Sequence, residues 1–246
     1  MILLIISDLH IGINDPNNDV FKWNPHSFIK VMDSYVKKYR VDQVILNGDI
    51  FELYKYSFEE IKKANPELVD YLQQFYYING NHDSLCEFGH DFWEHTNSRG
   101  ETIFIEHGHN VDWRNGSPSG RFIARALYLF LKKLVIFKSV RKLYYRIVEW
   151  QDQLHRIPRK YDRYKYLNYA LKLLLKYDTI ILGHTHKQEF VKTYFINKKK
   201  RYFNSGTCCH GKFEGMILNT ETSYYEFIHP HRDTAQDDDE EIFEEV

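Results

Sequence analysis

The chain has 246 residues, 43% hydrophobic and 16% aromatic, enough for one large domain with a substantial core. Its net charge of −1 excludes a uniformly basic polyanion binder. Three cysteines, with Cys208 and Cys209 adjacent, make neither a disulfide framework nor a C-x-x-C zinc pattern, which points to a reducing cytoplasm.

Residues 2–6 predict a buried strand, a continuous apolar run that ends abruptly in Asp8-Leu9-His10. Residues 26–40 carry helical spacing, with Phe28, Ile29, Met32, Tyr35 and Val36 on one face. A second strand over 41–49 closes on Gly48-Asp49, with Glu52 three residues on. Helices are expected over 57–63 and 66–74, then a third strand over 75–78 that runs into Gly80-Asn81-His82-Asp83. ETIFIEHGH and DTIILGHTH repeat the design, ending in His107-Gly108-His109 and Gly183-His184-Thr185-His186. Beyond them, two hairpins are expected, the first turning at 197–200, and together they imply a second sheet.

The segment 120–177 differs from the rest. Between 121 and 176 it holds 15 Lys/Arg against three acids (Glu149, Asp152, Asp162), a local charge of +12, interleaved with large apolar residues. It reads as a basic, amphipathic helical insertion. A helix apolar on several sides needs a second helix, a membrane surface or a greasy ligand against it, or it simply packs as a core hairpin. The acidic stretch 233–246 reads as a tail without fixed structure. No apolar run approaches the roughly 18 residues of a spanning helix, so the protein is expected to be soluble or peripheral on a membrane.

Each polar motif alone fits an ordinary surface turn. Together they put every short His/Asp cluster at the carboxyl end of a strand, where α/β sheets place their ligands. Alternate residues of an extended segment point the same way, so Asp8 with His10, and His184 with His186, can aim at one region. The glycines beside them permit sharp turns and close backbone approach. Carboxylate, amide oxygen and imidazole together suit Mn, Fe or Zn better than calcium or a structural zinc site.

The ordered pattern D-x-H, G-D-x-x-E, G-N-H-D, H-G and G-H-x-H, spanning 8–186 with NSGT at 204–207, resembles the calcineurin-like metallophosphoesterases. The resemblance implies an α/β fold, a two-sheet αββα sandwich over 1–232, here carrying a helical, basic, lid-like insertion. It implies two divalent metal ions, Mn first and Fe or Zn next: Asp8, His10 and His186 on one, Asn81, His107 and His184 on the other, Asp49 bridging. His82 would stand beside the leaving group and Asp83 would orient it, with Glu52, where Asp is more usual, as a supporting acid. Two such ions, about 3.5–4 Å apart, would provide a bridging hydroxide for in-line attack on phosphorus. His109 is a candidate substrate contact, a partner of the metal site or a plain loop residue.

For the substrate, a helical insertion after H-G and the stretch HGHNVDWRNG resemble the UDP-diacylglucosamine hydrolase branch, with Asp112 and Arg114 as polar contacts. His82 departs from the arginine frequent there and points to the broader phosphodiesterase pattern. The expected partner is therefore a phosphate-containing small molecule or a lipid-linked nucleotide, with peripheral membrane contact through the basic insertion. The alternatives are a nuclease or cyclic-nucleotide phosphodiesterase, for which basic and aromatic residues would track nucleic acid, and a non-catalytic adaptor. Adaptors of this fold tend to lose ligands, and here every ligand position is filled.

Overall fold

The computed structural model describes residues 1–16, 18–83, 88–111 and 160–229, with positions 119, 122, 123, 126 and 130. In chain order its elements are β1 (Ile2–Ile6), α1 (Pro25–Tyr39), β2 (Gln43–Asn47), α2 (Phe58–Ala64), α3 (Pro66–Leu72), β3 (Tyr76–Ile78), β4 (Trp93–Thr96) and β5 (Thr102–Ile105). A 3-10 turn (His109–Val111), α4 (Lys160–Leu173), β6 (Thr179–Leu182), β7 (Glu189–Phe195), β8 (Lys198–Asn204), β9 (Gly215–Asn219) and β10 (Tyr225–Ile228) follow.

Among the described residues the strands form two sheets of five, ordered β10-β9-β1-β2-β3 and β4-β5-β6-β8-β7. β1, β2 and β3 run parallel, as do β5, β6 and β8, so the carboxyl ends of the motif strands within each sheet share one edge. The second sheet expected from the late hairpins is present, but only one of the two hairpins lies in it. β7–β8 joins the second sheet and β9–β10 pairs along β1 in the first. The reason lies in packing: Leu3 and Ile5 on β1 need Met216 and Leu218 beside them to close the layer between the sheets.

Continuous apolar strands split their residues between two cores. On β1, Leu4 and Ile6 face the cluster with Phe28, Met32, Ile61 and Leu68 from the first three helices. Leu3 and Ile5 face the layer between the sheets, with Ile45, Ile105, Ile181 and Phe203. On the far side, Ile180, Leu182 and Tyr202 meet Ala170 and Leu174. Three cores between four layers make an αββα sandwich. Each fully buried Leu or Ile contributes about 1.5–3 kcal/mol relative to exposure, so the layer between the sheets holds them firmly together.

Local chemistry sets the element ends. Asn24 caps α1 by accepting from Ser27 N at 3.1 Å, ahead of Pro25 at the first helical position. Ser57 and Glu60 form a reciprocal capping box on α2. The first late hairpin turns at Ile196-Asn197, both at positive φ, and not at 197–200. Lys198–Lys200 belong to β8 because Lys200 is buried, its Nζ donating to Asp178 Oδ1 at 2.8 Å and to the Tyr177 carbonyl. β4, which pairs antiparallel with β5, has no counterpart among the expected strands.

Helix α4 and the turn after it fall within the expected insertion, and one face of them packs: Tyr166, Ala170 and Leu174 are buried, while Tyr164 and Leu175 are exposed. The remainder of 120–159, apart from isolated positions, and the tail 233–246 lie outside the described residues. Among the described residues no helix is long and apolar enough to cross a membrane.

Candidate metal centre

The loops that leave β1 and β2 run side by side. Asp8 N donates to the Gly48 carbonyl, His10 N to the Asp49 carbonyl and Ile11 N to the Ile50 carbonyl, at 2.8–3.0 Å. The strands stop at Ile6 and Leu182, and the ligand residues beyond them are not extended. Asp8, His10, Asp49, His184 and His186 all have φ between 51° and 68°. Their side chains therefore converge through left-handed turns, not through strand alternation as expected from the D-x-H and H-x-H spacing. Such backbone costs about 1–3 kcal/mol per non-glycine residue and persists only where the surroundings hold it. Five such residues at one edge mark a site built against local preference. Glycine is needed where the backbones meet: a Cβ on Gly48 would overlap the His107 ring, and one on Gly80 the Asp49 carboxylate.

Among the described residues three groups could hold an ion: one is His10 with Glu52 and His82, and the other two are triads of the expected ligands, buried apart from the partly exposed His184. Asp8, His10 and His186 bring one ligand atom each within 4.8 Å of the others, and so do Asp49, His107 and His184. In the first, Asp8 Oδ1 stands 3.1 Å from His186 Nε2, and His10 Nε2 is 3.3 Å from His186 Nε2. In the second, Asp49 Oδ2 stands 3.1 Å from His107 Nε2, which lies 3.2 Å from His184 Nδ1. Asp49 Oδ2 is also 3.9 Å from His10 Nε2, so one oxygen reaches toward both triads. Backbone amides fix the two carboxylates: His82 N donates to Asp49 Oδ1 at 2.8 Å, and His184 N to Asp8 Oδ2 at 3.0 Å. The remaining oxygen of each is left facing imidazoles. Asn81 is buried in the loop next to Asp49's amide partner.

Charge follows this geometry. Burial alone would raise the Asp49 carboxyl, but His107, His82 and His10 around it hold it well below the usual range. Asp8 is held down in the same way by His186 and His107 against its burial. Burial works against the charged imidazole of His107, yet Asp49 and Asp8 push it up to about 9. Burial and the neighbouring His107 push His184 far the other way. Protons on imidazoles thus neutralise a nest of carboxylates. Facing nitrogens 3.2–3.3 Å apart can instead share a cation at about 2.0–2.1 Å from each, so the donor set fits divalent metal ions.

His82 lies beside the first triad, its ring centroid 4.6 Å from that of His10 and 4.4 Å from that of Tyr54. Its Nδ1 is 2.8 Å from Glu52 Oε1. The carboxylate that orients His82 is therefore Glu52 and not Asp83. Asp83 instead accepts from Gly80 N, Ile50 N and the Tyr77 hydroxyl at 2.5–2.6 Å, which ties the G-N-H loop to the loop after β2. The other Glu52 oxygen is 3.5 Å from His10 Nδ1 and 3.9 Å from Lys55 Nζ. Burial lowers the His82 imidazolium, but Glu52 and Asp49 raise it above its ordinary value.

His109 is buried in the 3-10 turn, its ring 5.7 Å from that of His107, so the structure places it against the second triad. Asp112 and Arg114 lie outside the described residues. Sequence reasoning missed Tyr54, Lys55, Cys209 and Tyr166, whose ring is 5.6 Å from that of His184. Only Lys55 left a signal, three residues after Glu52 within one tight turn.

The family model described as calcineurin-like phosphoesterase matches residues 1–188. Among solved structures, a dimetal phosphatase from Danio rerio superposes with a TM-score of 0.52 at 10% identity, over 94% of this chain and 96% of that one. Vps29 from Entamoeba histolytica, complexed with zinc, gives 0.44 at 17% identity over 96% and 95%. A predicted phosphoesterase from Streptococcus pneumoniae gives 0.41 at 15% over 93% and 88%. No curated protein matches the chain. With the model covering most of its length, the chain belongs to the calcineurin-like phosphoesterase family.

Proposed function

We propose that this protein is a dinuclear metal-dependent phosphohydrolase that cleaves a phosphodiester or pyrophosphate bond. The observation that carries this reading is the pair of triads joined by Asp49, with the Glu52–His82 pair alongside. When bound, two divalent cations supply Lewis acidity toward phosphoryl oxygens and a water nucleophile at neutral pH.

The chain's own residues do the rest. Asp8, His10 and His186 would hold one cation and Asn81, His107 and His184 the other, with Asp49 available to both. Glu52 commits Nδ1 of His82, so proton donation to the departing oxygen runs through Nε2. Glu52 and Asp49 favour the imidazolium that this donation needs. Lys55, buried beside Glu52, offsets the charge of that carboxylate. Asp83 keeps the G-N-H loop at the distance from Asp49 that this requires.

A substrate panel on Mn-loaded protein, repeated with Fe and Zn, tests the reading. It spans an aryl phosphodiester, a nucleotide, a nucleotide sugar, a UDP-linked lipid and an oligonucleotide. Turnover of a phosphodiester or pyrophosphate that disappears in Asp49→Ala is expected; turnover surviving that substitution sinks the two-metal reading. The lipid-linked nucleotide rests on 112–159, nearly all outside the described residues, and is one arm of the panel. Strong loss of affinity with salt would favour the nucleic-acid arm.

A further inference from the structure

Each ligand histidine that turns Nε2 toward the site needs a partner on its other nitrogen. That partner fixes both ring orientation and tautomer. His107 has one in the Asn47 carbonyl, 2.8 Å from Nδ1, and His10 has one in Glu52 Oε2, 3.5 Å from Nδ1. His184 differs, because it turns Nδ1 itself toward His107 and Asp49. For His186 the atom at Nδ1 is the sulfur of Cys209, at 3.7 Å, within hydrogen-bond reach for sulfur.

Cys209 is fully buried, and its place is fixed by more than packing. Its backbone N donates to Thr207 Oγ1 at 3.2 Å, and that oxygen lies 3.1 Å from Cys209 Sγ. Thr207 Oγ1 in turn donates to the Asp8 carbonyl at 2.9 Å. One short loop therefore supports two members of the first triad, Asp8 through its backbone and His186 through its distal nitrogen. The adjacent Cys208 contributes only its backbone N, which donates to the Ser7 and Asp8 carbonyls at 3.2 and 3.3 Å; its Sγ donates to the Glu214 carbonyl at 3.1 Å and its side chain packs in the core with α1.

We propose that Cys209 is the positioning residue for His186. Its sulfur accepts the Nδ1–H and thereby presents Nε2 to Asp8 and His10, where the first cation would be held. The proposal rests on the two-cation reading above and adds a thiol where the other two histidines use oxygen.

The test is chelator competition with Zn and Mn on the full chain, comparing wild type, Cys209→Ala, Cys209→Ser and Cys208→Ala. In Cys209→Ala, one of two sites should lose about 10- to 100-fold in affinity, the range for removing a partner behind a ligand histidine. The serine variant, which keeps an acceptor, should stay within about threefold of wild type. Cys208→Ala should keep both sites. Wild-type affinities in Cys209→Ala, or equal losses in the alanine and serine variants, would overturn the proposal. Ring nitrogen NMR of wild-type His186 gives a readout that does not depend on any variant folding. The Nδ1–H tautomer is expected, and the Nε2–H tautomer would overturn the proposal. A wild type that binds no cation would instead overturn the two-cation reading on which this one stands.

Discussion

The two triads are near mirror images in composition and differ in what stands behind them. The first takes Asp8 and His10 from the β1 end and His186 from the β6 end. The second takes Asp49 from the β2 end and His107 and His184 from the other sheet. Each therefore straddles both sheets, two residues against one, and neither exists until the sheets pack. Behind the first lie charged and polar partners: Glu52, Lys55, His82 and Cys209. Against the second lie His109 and the Tyr166 ring from α4. On the proposed reading, this difference puts proton donation beside the first triad, while Tyr166 of α4 bears on the second.

The sharpest way to break the comparison is Asp49→Ala, since its Oδ2 reaches toward both halves. Both cations should be lost together, with a fall in kcat/KM of about 10⁴-fold or more. Asp8→Ala should remove one cation and leave the other, as read by metal analysis of the dialysed protein. Equal stoichiometry in the two variants would mean that Asp49 is not shared.

His82→Asn should cost about 10²–10⁴ in kcat and leave both cations bound, because it removes proton donation only. Glu52→Gln should cost less, about 10- to 100-fold. It should also move the basic limb of the kcat profile to lower pH, because Glu52 raises the His82 imidazolium above its ordinary value. An unmoved limb would remove Glu52 from that role.

A smaller effect concerns the metal-free protein and the second triad. His107 is pushed up to about 9 in the fold from an ordinary value of 6.5. A group raised on folding contributes stability that is full below about 6.5 and is lost as pH rises through 9. Thermal unfolding of the metal-free protein should therefore move to lower temperature across that window. Cation affinity should rise over the same window, since proton and cation compete for one nitrogen. His107→Gln, measured by calorimetry, should flatten the pH trend.

Much of this was legible in the chain. The strands β1, β2, β3, β5 and β6 announce themselves as short apolar runs, and each closes on a polar motif that the fold gathers at one edge. Helix α1 follows from its spacing, and α2 and α3 lie close to their expected ranges. What was not legible came from contacts between distant segments. The spacing of Asp8 and His10 suggested an extended pair, yet parallel contact with the β2 loop holds both in left-handed backbone. Asp83, adjacent to His82 in sequence, suggested itself as its partner, but the carboxylate at the ring comes from Glu52, thirty residues away.

The sequence by itself determined the fold family, the order of the motifs and which residue types collect at the strand ends, because apolar periodicity and local turn chemistry are short-range properties. Only the tertiary structure decided which carboxylate serves which histidine, which sheet each late hairpin joins, and that a buried thiol stands behind His186. Those assignments depend on the packing of two sheets against each other, and no local pattern records which loops that packing brings together.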